Sequence, residues 1–189
     1  MTLVLNRVYY SYQQERLLEN ISLTAREGRA TAIMGASGRG KTTLLHIMAG
    51  LLQPDSGDIS GIPDCGVSVV FQEDRLLPWM TALENLMVAA PEATADDLTK
   101  LLWDLGLSGR EDAMPAELSG GMARRVAIAR ALAFGSPLLL LDEPFAGLDS
   151  DTKRRTAEVI RRYSQGTTVV AVVHEETDAG LLGAEIVRI

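Results

Sequence analysis

The run Gly35-Ala36-Ser37-Gly38-Arg39-Gly40-Lys41-Thr42 fits the pattern G-x-x-x-x-G-K-[ST]. It follows a short apolar run, Ala30–Met34. It precedes Leu44, Leu45, Met48, Leu51 and Leu52, whose three-to-four spacing predicts an amphipathic helix ended by Gln53-Pro54-Asp55-Ser56-Gly57. A strand, a glycine-rich turn and a helix N-terminus in that order leave few folds open. Glycines let the backbone curl until successive N–H groups face one point, and the helix dipole adds positive charge there. Phosphate is the natural ligand, with Lys41 reaching the β- and γ-phosphates and the Thr42 hydroxyl offered to Mg²⁺. From rough residue frequencies, chance would place this pattern in under about 1% of chains of this length. The motif alone does not separate ATP from GTP, nor does it name the work done.

The remaining apolar, β-branched runs supply a sheet. Leu3–Leu5, Ile21–Thr24, Val67–Phe71, Leu138–Leu141, Thr167–Val173 and Ile186–Ile189 join Ala30–Met34 as predicted strands. Continuous apolar runs such as Leu138–Leu141 suit strands covered on both faces, as in parallel α/β sheets. Between Arg75 and Phe134 the spacing is helical, over Thr81–Ala90, Ala95–Leu105 and Ser119–Ala133, with no convincing strand. That stretch reads as a helical subdomain set into an α/β core formed by 1–74 and 135–189, and a helix from Asp149 to Ser164 returns to the core. No repeat or low-complexity segment interrupts the pattern.

At 189 residues, with 47% hydrophobic content, the chain fits one globular domain. A formal net charge of −7 argues against direct nucleic-acid binding along a broad basic face. The single cysteine, Cys65, forms no intrachain disulfide, which suits a reducing compartment. No secretory signal is visible near Met1, and no window approaches the roughly eighteen apolar residues of a spanning helix, so a membrane role would go through a partner.

Leu138–Leu141 runs into Asp142 and Glu143, which places two carboxylates at the carboxyl edge of the sheet, where open α/β proteins bind ligands. Beside a phosphate loop, Asp142 would help hold the Mg²⁺ shell and Glu143 would polarise the attacking water as general base. Taken alone, Asp142 serves equally well as a cap for the turn before Pro144. His174 closes the run Thr167–Val173, and Gln72 follows Val67–Phe71. A lone histidine is more often structural; convergence of these strand ends with Lys41 is what makes a site of them.

Leu118-Ser119-Gly120-Gly121-Met122 resembles the LSGGQ signature of the nucleotide-binding subunits of ABC transporters, and the other motifs follow that family's order over essentially the whole chain. The resemblance implies an α/β fold: a P-loop NTPase core with a mainly parallel sheet flanked by helices, a reduced antiparallel β subdomain and an inserted helical subdomain, all within one ABC ATPase domain over 1–189. It implies Tyr12 stacked on adenine, and a phosphate loop of Gly35, Ala36, Ser37, Gly38, Arg39, Gly40, Lys41, Thr42 and Thr43. Gln72, Glu143 and His174 would form the catalytic group, and Thr42, Gln72 and Asp142 would surround the metal, with ATP and Mg²⁺ as cofactors. In the family two subunits pair head to tail, so Ser119, Gly120 and Gly121 would meet the ATP held by the other copy, with Asp149 of Gly147-Leu148-Asp149 at the seam. As an isolated tripeptide, Ser-Gly-Gly reads as a generic helix cap.

Three departures bear on these expectations. Met122 replaces the signature glutamine, the stretch from Gln53 to Gly66 is shorter than usual, and with Ile189 following soon after His174 no appended regulatory domain is expected. Gln72 to Leu86 resembles importer subunits serving nitrate, sulfonate, taurine and related small solutes. There the loop docks the membrane subunit, making Leu76, Leu77, Trp79 and Met80 candidate contacts, although they would also pack the helical subdomain. The resemblance therefore implies an ATP-driven importer motor on the cytoplasmic face of the membrane. Its partners would be a second ATP-binding subunit, permease subunits and a solute-binding protein. The different-class alternative is a soluble ABC ATPase that remodels an assembly, such as iron–sulfur cluster machinery.

Overall fold

Strand β6, Leu138–Asp142, is buried at all five positions, and its alternating side chains feed two separate cores. Leu139 and Leu141 pack into one cluster and Leu138 and Leu140 into the other. The next strand, β7 (Thr168–Val172), divides likewise, with Val169 and Ala171 on one face and Val170 and Val172 on the opposite one. A sheet covered on both faces has no polar side, which is why these strands read as unbroken apolar runs.

The computed structural model describes residues 1–13 and 15–189. Its larger sheet has the order β5-β6-β7-β3-β8, where β3 is Ala30–Met34, β5 Ser68–Val70 and β8 Glu185–Arg188, and every pairing is parallel. A smaller antiparallel sheet, β2-β1-β4, is built from β1 (Leu3–Tyr12), β2 (Glu15–Ala25) and β4 (Ser56–Ser60). Leu3, Leu5, Val8, Leu18 and Leu23 of that sheet share a core with Leu44, Leu45 and Met48 of α1 (Lys41–Met48). The opposite face of the parallel sheet is covered by α2 (Ala82–Ala89), α3 (Ala95–Asp104), α4 (Gly120–Phe134), α5 (Ser150–Tyr163) and α6 (Glu176–Leu182).

Helices α2, α3, α4 and α5 start where side chains satisfy their free N–H groups. Thr81 and Glu84 form a reciprocal capping box on α2, with the Glu84 N–H donating to Thr81 Oγ1 (3.2 Å) and the Thr81 N–H to Glu84 Oε2 (2.8 Å). Thr94 caps α3 and Ser119 caps α4, while Asp149 Oδ1 accepts from the N–H groups of Asp151 and Thr152, both at 3.0 Å, on α5. From 75 to 134 the described residues hold α2, α3, a 3-10 turn at Pro115–Glu117 and α4, and no strand.

Two expectations need correction, and two elements go unannounced in the sequence. Leu51 and Leu52 lie outside α1, because Gly50 takes a left-handed φ of 72° and turns the chain away after Met48. The strand predicted at Leu3–Leu5 runs on to Tyr12, its pairing with β2 interrupted by register shifts that break the apolar alternation. Strand β4 and helix α6 carry too few apolar residues to announce themselves. No described helix is long and apolar enough to cross a membrane.

Candidate nucleotide site

The parallel strands all end at one edge, and backbone bonds lock their ends into a row. Val173 N–H donates to Ile33 O (3.2 Å), Glu143 N–H to Val172 O (3.1 Å) and Ile189 N–H to Met34 O (3.0 Å). Gly35, Glu143 and His174 therefore leave the sheet from neighbouring, fixed positions. Phe71 and Gln72 follow β5, whose Val70 pairs with Leu141.

At Gly35 the chain turns into an exposed tip, Ala36–Arg39, and re-enters at Gly40, the N-cap of α1. Gly40 has a φ of 81°, and a Cβ there would fall 2.6 Å from Leu18 Cδ2, so both the backbone and the space demand glycine. Gly35 is constrained differently, since its Cβ would lie 2.5 Å from the Ile189 carbonyl oxygen at the end of β8. Lys41 is buried, and its ammonium donates to Gly35 O and Ala36 O, both at 2.9 Å, so the charge sits inside the turn of the loop. Tyr12 is 62% exposed and flanks a cleft of about 530 Å³ lined also by Glu15, Arg16, Leu17, Gly38, Arg39 and Thr43. An exposed aromatic beside a phosphate-binding turn can stack on a planar base.

Asp142 is buried at the end of β6, and among the described residues neither of its carboxylate oxygens has a hydrogen-bond partner. Burial pushes its pKa up. The nearby Thr42 hydroxyl moderates that rise without closing a hydrogen bond of good geometry, and the Glu143 charge adds to it. A buried carboxylate with two free oxygens beside a hydroxyl is a donor set that fits a hard divalent cation, with phosphate oxygens and water completing the shell. Glu143 has a φ of 49°, a left-handed conformation that costs a non-glycine residue about 1–3 kcal/mol. Its Oε1 lies 2.6 Å from His174 Nε2, at the rim of a cavity of about 200 Å³ bounded by Phe145, Lys153 and Asp178. A carboxylate held this way can take a proton from water, and the imidazole fixes its direction.

The other predicted residues sit elsewhere. Among the described residues no hydrogen bond joins Ser119–Gly121 to residues 35–43. A Cβ on Gly121 would instead meet Leu148 Cδ2 at 3.1 Å, so the Ser-Gly-Gly turn packs on the turn that leads to Asp149. Ser119 and Gly120 are exposed, and Met122 packs against the larger core. Thr152, through its hydroxyl and its N–H, holds the Asp149 pKa below the ordinary carboxylate range. In the segment before α2, Trp79 is 68% exposed, while Leu76 packs on the core and Leu77 and Met80 are half-buried.

Two residues that position these segments escape sequence reasoning. Asn85, fully buried, hydrogen-bonds Leu77, Met80 and Thr81, and Arg124 bonds the carbonyls of Phe71 and Gln72. The available signals were weak: a polar residue between Leu83 and Leu86, and an arginine on an otherwise apolar helix face.

The family described as ABC transporter matches residues 18–146. The chain is 45% identical over 181 residues to the aliphatic sulfonates import ATP-binding protein SsuB 2 of Paraburkholderia xenovorans (strain LB400), covering 93% of this chain and 71% of the relative. It is 40% identical to SsuB 1 of Rhodococcus jostii (strain RHA1), covering 94% and 74%. The dimeric structure of a bacterial ABC transporter cassette superposes with a TM-score of 0.86 at 31% identity, covering 99% of this chain and 94% of that one. A post-hydrolysis dimer bound to ADP and Pi superposes equally well, with a TM-score of 0.86 at 30% identity over the same shares of the two chains.

Proposed function

Because the chain belongs to the ABC transporter family, as an ATP-binding and ATP-hydrolysing subunit, we propose that the crevice at its strand ends binds MgATP and splits it to drive solute import. Residues 35–43 cradle the triphosphate, with Lys41 exchanging its loop carbonyls for β- and γ-phosphate oxygens, and Tyr12 stacks on adenine. Thr42, Asp142 and Gln72 hold Mg²⁺, which when bound neutralises charge on the phosphate oxygens. Glu143 takes the proton of the attacking water while His174 keeps its carboxylate aligned, and the products are ADP and phosphate.

One observation carries this reading: a single sheet edge gathers the Lys41 cradle, the unpartnered Asp142 carboxylate and the Glu143–His174 pair. Glu143→Gln tests it. Equilibrium ATP binding should persist, steady-state hydrolysis should fall by about 100-fold or more, and an ATP-bound dimer should accumulate on size exclusion with light scattering. Unchanged hydrolysis would remove Glu143 from the base role.

Two copies pair head to tail, so that Ser119, Gly120 and Gly121 of one face the ATP of the other across a seam at Asp149. The exposure of Ser119 and Gly120 supports this, as does the dimeric form of the similar cassette. Residues 75–134 act as a helical arm on the core. A transmembrane permease docks on Leu76, Leu77, Trp79 and Met80 and along the adjoining apolar cleft of about 360 Å³, which Leu51, Phe71, Ala89 and Phe134 line. The subunit is then peripheral on the cytoplasmic face of the membrane, served by a solute-binding protein. The relatives' names favour aliphatic sulfonates as cargo, and they favour import over the soluble remodelling alternative. Co-purification from membranes without any polytopic partner would count against transport.

A further inference from the structure

Helix α4 opens at the Ser-Gly-Gly turn and, farther along, carries two guanidinium groups that grip the segment after β5. Arg124, only 5% exposed, donates through Nη1 to Phe71 O and through Nη2 to Gln72 O (2.6 Å), and its charge lies 3.2 Å from Asp74 Oδ1, an ion pair without hydrogen-bond geometry. Arg130 donates to Asp74 O (3.1 Å) and Arg75 O (2.8 Å). Since β5 ends at Val70, Phe71 and Gln72 lie beyond its ladder, and their carbonyls depend on a helix residue 53 and 52 positions later in the chain.

Burying a guanidinium is unfavourable unless its donors are met and its charge is balanced, and a planar fork can meet two successive carbonyls while the Asp74 carboxylate balances the charge. The arrangement joins the nucleotide-edge glutamine to the helix whose first turn faces the partner's nucleotide. We propose that Arg124 is a positioning residue for Gln72, presenting its carboxamide to the metal shell while α4 is docked, with Arg130 securing the turn beyond. The inference builds on the assignment of Gln72 to that shell.

A mutant cycle in the full-length dimer tests it, reading kcat and the Mg²⁺ concentration giving half-maximal ATP hydrolysis. Gln72→Ala should lower kcat and raise the Mg²⁺ requirement several-fold. Arg124→Met should raise that requirement similarly and lower kcat by about 10- to 100-fold, with ATP affinity nearly unchanged, and Arg124→Lys should recover part of the loss. Added to Gln72→Ala, Arg124→Met should change kcat by less than about twofold, since one acts through the other. If Arg124→Met does not fold, the charge-balanced pair Asp74→Asn with Arg124→Gln takes its place in the cycle. Losses that multiply, or a lowered melting temperature with unchanged Mg²⁺ dependence, would overturn the positioning role. Unaltered kcat and Mg²⁺ dependence in Gln72→Ala would overturn the Gln72 assignment and the positioning role with it.

Discussion

Asn85 holds the segment that carries Trp79, and removing its amide should cost a predictable amount. The side chain is fully buried in α2. Its Nδ2 donates to Leu77 O (3.2 Å), Met80 O (3.1 Å) and Thr81 O (2.9 Å), and its Oδ1 accepts from the Leu77 N–H (2.8 Å). In Asn85→Ala two of these partners keep other bonds, because Leu77 O also accepts from Met80 N–H and Thr81 O from the N–H of residue 85. The Leu77 N–H and the Met80 carbonyl are left without a protein partner. At about 1–3 kcal/mol for each buried group, discounted because both residues are half-buried, the loss is about 3 kcal/mol. In a domain of this size that lowers Tm by about 6–12 °C. Asn85→Asp keeps the acceptor that faces the Leu77 N–H and the Arg130 guanidinium (3.4 Å) but turns its second oxygen toward three carbonyl oxygens, so it too should destabilise the fold. Urea and thermal unfolding measure both variants, and Trp79 emission in a Trp103→Phe background reports whether the segment loosens. If Asn85→Ala unfolds within about 0.5 kcal/mol of wild type, the segment is held by something other than this amide.

Two further perturbations address the site's frame. Gly35→Ala places a Cβ against the Ile189 carbonyl and should destabilise the chain by about 1–3 kcal/mol, with faster amide exchange at Ile189; unchanged exchange would mean the loop and β8 separate freely. Asp149 has its pKa held down by Thr152, so its charged form stabilises the fold. That contribution is complete above the unfolded carboxylate pKa of about 3.9 and is lost as pH falls through the lower folded value. Asp149→Asn should therefore show a shallower fall of Tm across that acid window, and an acid limb identical to wild type would show that Asp149 does not contribute to it.

The strand-end groups are legible in the chain because each belongs to a local pattern. Asp142, Glu143 and His174 follow apolar runs, and the Gly35–Thr42 loop carries its own chemistry. Helices α2 to α5 are readable for the same reason, since Thr81, Thr94, Ser119 and Asp149 cap them from within one turn. Strand β4 is hidden because its residues are mostly exposed and polar, and only its pairing with β1 makes it a strand. Leu51 misleads in the opposite sense: it continues a helical spacing, yet Gly50 ends the helix and leaves Leu51 56% exposed beside an apolar cleft. Arg124 is opaque for a third reason, since its worth depends on carbonyls 52 and 53 positions away.

The ammonium of Lys41 already has its direction set by two carbonyl groups of its own turn. On the proposed reading, an arriving triphosphate trades partners with a side chain that is already immobile, so little rotamer freedom is lost on association. That saving favours capture, and when the spent nucleotide leaves, the same two carbonyls take the ammonium back, so its charge is never left without partners through the cycle.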